Sequence, residues 1–241
     1  MTSTRFDLHL HSALSACAEN TMSPRQIVAR AVESNLDMIA VTDHNASAHA
    51  PLLARLGEAC GLVVVPGMEV TSREEVHLLA LFADLAGLRA FQETVDGALP
   101  EARNDADYFG WQLVYDERDE VVDVDDRLRQ IGIGLGLDAL VERIHAGGGV
   151  AVPAHVFRAR NSLTSQLGFV NPGAGYDAVE VSVRSWRQQG LRLGQTIADY
   201  PVIVGSDAHF IEDIGRCPAE VPRAVRTVPE LLAALRQMEE A

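Results

Sequence analysis

Of the eight histidines in the chain, six fall at positions suited to chemistry rather than packing. His9 and His11 stand two residues apart in a strand-like run, so both side chains point to one face. Asp43 and His44 directly follow a second apolar run, Met38 to Val41. Glu69 follows a third, Leu62 to Val65, and His77 lies in the next, Val76 to Phe82. His155 closes a later run, Val150 to Pro153, and Asp207 and His209, again two apart, follow Val202 to Val204. A single His-x-His or a lone Glu after a strand is a weak signal; their recurrence at successive strand ends is a strong one. Imidazole and carboxylate together suit zinc, iron or manganese. A shared carboxylate such as Glu69 can bridge two cations roughly 3.5–4 Å apart, as in hydrolytic metal pairs. His49 and His145 fall within helical stretches and read as ordinary surface or core residues.

These donors need a scaffold that brings strand ends together. Short apolar runs alternate with helical stretches, which reads as repeated βα units. Ser23-Pro24 opens a helix with an N-cap serine and a proline at the first helical position. A second helix, from about Ala48 to Cys60, stops at Gly61, a natural left-handed C-terminal glycine. Helices are also expected over Leu85 to Leu99, Leu137 to Ala146 and Pro229 to Glu239, and one further strand over Ala178 to Val183. From about residue 101 to 136 the rhythm breaks into an acidic segment, with a hairpin around Asp116 to Asp119. That segment reads as an insertion projecting from the barrel, and Ile131 to Gly136 as its flexible end. The expected fold is a single α/β domain over residues 1–241, a parallel TIM-like barrel. Such barrels carry their active sites at the C-terminal ends of the strands.

The formal net charge is -14, and all 20 basic residues are arginine. Without lysine, Schiff-base chemistry and a carbamylated-lysine metal bridge are excluded. An acidic surface disfavours tracking along duplex nucleic acid, which calls for a basic stripe. A small phosphorylated substrate is compatible if bound cations reverse the local field. No apolar stretch approaches the roughly 20 residues that span a bilayer, and the chain opens without a secretory signal. A cytoplasmic location with no membrane partner is the expectation; the oligomeric state is open. Cys17, Cys60 and Cys217 are too scattered for a disulfide framework, and Cys60 and Cys217 read as small buried hydrophobes.

The segments Asp7-Leu8-His9-Leu10-His11-Ser12, Thr42-Asp43-His44-Asn45, Gly67-Met68-Glu69-Val70, Pro153-Ala154-His155 and Gly205-Ser206-Asp207-Ala208-His209 resemble the motifs of the PHP (polymerase and histidinol phosphatase) family. The similarity runs from residue 5 to about 210. It implies a distorted (β/α)7 barrel that holds two or three divalent ions (Zn, Fe or Mn). By that resemblance His9, His11, Glu69 and Asp207 hold the first cation, and Glu69, His77 and His155 the second. His44 and His209 hold a third, with a residue shortly after the first motif. Many members carry Asp or His there, whereas this chain reads Ser15-Ala16-Cys17-Ala18, which makes Cys17 a candidate soft ligand. The implied reaction is phosphate-ester hydrolysis by a hydroxide bridging two cations. Arg158 and Arg160, shortly after His155, are candidate phosphate clamps because guanidinium presents a planar fork; Arg184 and Arg187 are weaker ones. Asp43 is a candidate proton shuttle or, with greater weight, an orienter of ligands.

The leading substrate expectation is a small phosphomonoester or nucleotide-like phosphate. Other readings are an exonuclease acting on short oligonucleotides, an amidohydrolase-type deaminase, and a metal-binding regulatory module without turnover. Thr42-Asp43-His44-Asn45 after the second strand fits the PHP pattern better than the deaminase one.

Overall fold

A computed structural model describes residues 3–193, 195–216 and 219–239. The elements follow in the order β1 (Thr4–Leu10), α1 (Pro24–Glu33), β2 (Met38–Val41), α2 (Ala50–Cys60), β3 (Val63–Thr71), β4 (His77–Leu81), α3 (Leu85–Ala98), α4 (Ala106–Phe109), β5 (Leu113–Tyr115) and β6 (Val121–Val124). They continue with α5 (Leu137–Ala146), β7 (Val150–Pro153), α6 (Leu163–Gln166), β8 (Val179–Ser182), α7 (Val183–Gln189), β9 (Thr196–Ile197), β10 (Tyr200–Gly205), β11 (Ala219–Val221) and α8 (Val228–Glu239). The expected caps are present. The Ser23 side chain accepts from Gln26 N at the start of α1, and Gly61 adopts φ 77° at the end of α2.

Six strands form a curled sheet in the order β11-β1-β2-β3-β4-β7, and β8-β10-β9 form a second. The strands β1, β2 and β3 run parallel, as do β8 and β10. The two sheets meet at both flanks through backbone hydrogen bonds, Val156 N to Glu180 O at 2.9 Å and His11 N to Ala208 O at 3.0 Å. The result is a partly closed, distorted barrel flanked by helices. Strands such as β2 and β10 are buried on both faces, which is why they read as unbroken apolar runs. Leu78, Leu79, Val152 and Val202 sit in the fully buried core between strands and helices.

Three features depart from the sequence expectations. The barrel is mixed, because β4 pairs antiparallel with both β3 and β7. Only residues 72–76 separate β3 from β4, too few for a crossover helix, so the chain must turn back as a hairpin. The first residue of β4, His77, therefore reaches the same rim as the last residues of its parallel neighbours. Glu69 lies inside β3 rather than after it, since that strand runs on to Thr71. Cys60 is exposed at the end of α2 and not a core residue; Cys217 lies outside the described residues.

The segment 101–136 forms its hairpin, β5 with β6, yet it is bound to the barrel rather than projecting freely. Leu113 N donates to Ala13 O at 2.7 Å, and Ile133 N to Thr71 O at 3.0 Å. Ile133 is buried, and Gly132 lies against Ser72 O, where a Cβ would come within 2.8 Å; the glycine-rich end is thus a packed segment. The fastening is polar. Asn45, in the left-handed region at φ 49°, donates to Arg129 O and Ile131 O. The buried Arg129 guanidinium donates back to Asn45 O at 2.9 Å, to Asp96 at 2.6 Å and to Asp125 at 2.7 Å. Removing one partner of such a buried charge network typically costs about 3–5 kcal/mol. Because Asp96 and Asp125 keep partial contact with water, the lower end of that range applies. Arg129→Met is expected to lower unfolding stability by roughly 3 kcal/mol in denaturant titration; a change under about 0.5 kcal/mol would contradict this fastening.

Candidate metal centre

The rim defined by the ends of β1, β2, β3, β7 and β10 and the start of β4 gathers the six histidines, five of them around one carboxylate. Glu69 is fully buried. Its Oε1 lies 3.3 Å from His9 Nε2, 2.9 Å from His77 Nδ1 and 3.2 Å from His155 Nε2. Its Oε2 lies 3.4 Å from His11 Nε2 and 3.0 Å from His44 Nδ1. Asp207 Oδ1 approaches His9 Nε2 at 3.4 Å and His11 Nε2 at 3.2 Å. His209 stands next to His11, ring centroids 4.4 Å apart.

The outer nitrogens of several rings are already engaged, which sets the inner ones. Ser15 Oγ donates to Asp43 Oδ1, so His11 Nδ1, 3.1 Å away, must donate to it. That leaves a lone pair on His11 Nε2. His9 Nδ1 donates to Glu180 Oε2 at 2.6 Å, and His209 Nδ1 to the Asp207 carbonyl at 2.7 Å. Each turns an unprotonated Nε2 toward the interior, the arrangement that fixes metal-binding imidazoles in their tautomer.

The donor set fits divalent cations on three grounds. First, the contacts of the His9 and His11 Nε2 atoms with each other, with Glu69 and with Asp207 are all 3.2–3.4 Å. Tetrahedral ligation at roughly 2.0–2.1 Å sets donors about 3.3–3.4 Å apart. Second, Glu69 Oε2 and His44 Nδ1 are buried and, though 3.0 Å apart, make no hydrogen bond, an expensive state unless something else satisfies them. Third, three overlapping donor groups have their atoms within 4.8 Å of one another: His9, His11 and Glu69; His44, Glu69 and His77; His11, His44 and His209. Glu69 belongs to two of these groups, the property required of a bridging carboxylate.

Burial would raise the Glu69 carboxyl, but His77, His9 and His44 beside it hold it well below the usual range. Asp207 is likewise lowered, despite burial, by His9 and His11. Cys17 Sγ lies 3.0 Å from His209 Nε2. Desolvation raises that thiol, yet the His44 and His209 imidazoles bring it down to about 6, giving it thiolate character near neutrality. His155 and Asp207 hold positive φ angles, 34° and 53°. Strain of this kind in non-glycine residues concentrates at functional sites.

Asp43 sits behind the donors. It accepts from Ser12 N, Ser12 Oγ and Ser15 Oγ, so it reaches His11 only through Ser15. Arg158 lies at the open edge, its guanidinium 49% exposed and 2.9 Å from Asp207 Oδ2. Arg160 is exposed further out on the same loop, and Arg184 and Arg187 are exposed on α7.

Three residues of this region escaped the sequence reading. Glu180 is fully buried on β8 and orients His9; a glutamate between two strand valines was the available signal. Asp7, also fully buried, accepts from Ser206 N at 3.1 Å and ties β1 to the exit of β10; burial pushes its carboxyl up to about 7. His49, read as an ordinary helical residue, is buried at the head of α2. It donates from Nδ1 to Ser12 Oγ and accepts at Nε2 from Tyr115 N, so it joins the Asp43 cluster to the hairpin. His145 makes only a half-exposed pair with Asp177.

Comparisons with known proteins agree with this fold. Residues 7–127 match a family model described as PHP domain, and residues 196–239 one described as PHP-associated. The 5'-3' exoribonuclease Rnm of Salmonella typhimurium is 33% identical over 88 residues, which are 34% of this chain and 28% of that enzyme. The 5'-3' exoribonuclease of Haemophilus influenzae is 24% identical over 260 aligned residues, covering 86% of this chain and 90% of the enzyme. Among solved structures, the lesion-specific endonuclease PfuEndoQ from Pyrococcus furiosus superposes with a TM-score of 0.69 at 19% identity, over 98% of this chain and 56% of that one. The chain thus spans little more than half of that endonuclease. In a second structure, endonuclease Q is bound to a 27-mer duplex with an abasic lesion at the active site (TM-score 0.65, 17% identity, 98% of this chain and 57% of that one).

That complex overturns the expectation that duplex nucleic acid is disfavoured. The expectation rested on the net charge, a sum over the whole surface, whereas a phosphate responds to the field where it binds. An endonuclease that shares this fold over 57% of its length does bind a duplex. Among the described residues no helix is long and apolar enough to cross a membrane.

Two substitutions separate bridging from orientation. Glu69→Gln is expected to remove more than one metal equivalent by elemental analysis. Glu180→Gln should keep the stoichiometry but weaken metal affinity roughly 10- to 100-fold, the usual cost of losing an outer partner of a ligating histidine. Full metal content in the first variant, or wild-type affinity in the second, would contradict the assignment.

Proposed function

This chain belongs to the PHP domain family of metal-dependent phosphoesterases, and we propose that it is a nuclease removing nucleotides from an end of a single strand. The observation that carries the proposal is the array of imidazoles around the buried Glu69, edged by the partly exposed His77, Asp207 and Arg158. Similarity to exoribonucleases, which in one case runs through 90% of the relative's length, supports this substrate over the small phosphomonoester.

His9, His11, Glu69 and Asp207 would hold one cation, and Glu69, His77 and His155 a second. His44 and His209, with Cys17 as a soft donor, would hold a third; zinc, iron and manganese all suit this set. When bound, such ions polarise phosphoryl oxygens and supply a water-derived nucleophile at neutral pH. The chain's own groups then position and hold. Glu180, Ser15 and the Asp207 carbonyl keep three rings in the tautomer that faces inward. Arg158 uses one N–H on Asp207 and keeps further donors for a phosphate oxygen at the rim, where guanidinium geometry gives a directional grip. Arg160 contributes more distant positive charge. Asp43 holds the Ser12–Ser15 loop and through it His11.

The test is end-labelled single-stranded RNA and DNA with the metal found in the purified protein. Stepwise release of mononucleotides, with mononucleotides themselves left intact, is the expected result. Phosphate released from mononucleotides, with oligonucleotides untouched, would return the reading to a phosphomonoesterase. Arg158→Ala should raise KM for the oligonucleotide about tenfold, near the ~1.5–3 kcal/mol value of a hydrogen bond to a charged group, without changing metal content. An unchanged KM would move the phosphate grip elsewhere.

A further inference from the structure

The segment 105–112 sets an aromatic surface beside the third donor group. Tyr108, Phe109 and Trp111 are 80%, 38% and 49% exposed, three large aromatic side chains within four consecutive residues. Tyr108 and Phe109 meet edge to face with centroids 4.7 Å apart. Exposed aromatics scattered singly are ordinary, whereas a contiguous apolar patch marks an interaction site.

The patch is fixed in place and adjacent to the chemistry. Gly110, at φ 100°, presses so closely on the loop before Cys17 that a Cβ there would stand 2.1 Å from Ala16 O. Asn104 Nδ2 donates to Gly110 O at 2.8 Å. The buried Gln112 donates to Asp125 O and Arg127 O. The neighbouring Cys17 Sγ is 3.0 Å from His209 Nε2, so the platform and the donor groups share one loop. On the far side of that loop Glu19 N bonds His209 O, and the next residue, Phe210, is also exposed.

The occupant follows from charge. Asp105 and Asp107 flank the aromatics, and the chain has no lysine; a phosphate backbone would be repelled there and an anionic membrane likewise. A nucleobase is neutral and has a π-face of the size of these rings. Stacking of bases on aromatic side chains is worth about 1–3 kcal/mol per base and needs no basic groove. We propose that Tyr108, Phe109 and Trp111 form a stacking platform for bases next to the scissile phosphate, which is held at the Arg158 rim. The proposal rests on the nuclease reading and adds how an acidic chain holds a strand: by its bases beside the metal centre.

The test compares hexathymidylate with an abasic hexamer of the same backbone and charge. The wild type should show a KM about tenfold lower for the probe that carries bases, within the range that one stacked base supplies. Tyr108→Ala and Trp111→Ala should bring the two KM values together, while Trp111→Phe, a ring retained on the same backbone, should keep the preference. Equal KM values in the wild type, or a preference that survives both alanine variants, would overturn the platform. So would self-association that Trp111→Ala abolishes with the preference unaltered, since a second copy would then cover the patch. If the wild type cleaves neither probe, the nuclease reading is decided by the end-labelled RNA, and tryptophan fluorescence decides the platform alone. Quenching by hexathymidylate that is lost in Trp111→Ala supports it, and no quenching overturns it.

Discussion

A carboxylate buried among five imidazoles is the arrangement on which the rest of this molecule turns. Glu69 has no water to solvate it, and a second carboxylate, Asp207, shares two of its histidines. Burying charge without compensation costs several kcal/mol per ion. The donor spacing and the unpartnered polar atoms resolve that cost in the same way, by divalent cations whose charge the site is shaped to receive. The mixed barrel follows from this need: reversing β4 delivers His77 to a rim otherwise built from strand C-termini.

Preorganisation extends outward in layers. Glu180 orients His9 and Ser15 orients His11, and Asp43 holds Ser15. His49 links that cluster to the hairpin backbone at Tyr115. The same segment, clamped by Arg129 and Asn45, carries the aromatic platform. The region that breaks the βα rhythm thus couples the donor groups to the exposed aromatic surface.

The donors were legible in the sequence because they recur at strand ends, a periodicity that local pattern reveals. His49 and Glu180 were not, because each acts on a partner far along the chain: Ser12 for the one, His9 for the other. The antiparallel course of β4 was concealed in the same apolar run that made it recognisable as a strand. Residues 101–136 read as a projecting insertion because their anchors, Arg129 and Asn45, are single polar contacts without a repeat. Net charge misled about duplex nucleic acid because it averages over the whole surface, whereas a phosphate responds to the local field.

Anomalous diffraction from crystals grown with manganese or zinc measures the central feature most directly. At least two anomalous peaks should lie within bonding distance of Glu69, one of them also touching His9, His11 and Asp207. Peaks confined to the surface, or a single ion that leaves Glu69 uncoordinated, would contradict the bridging carboxylate and everything built on it.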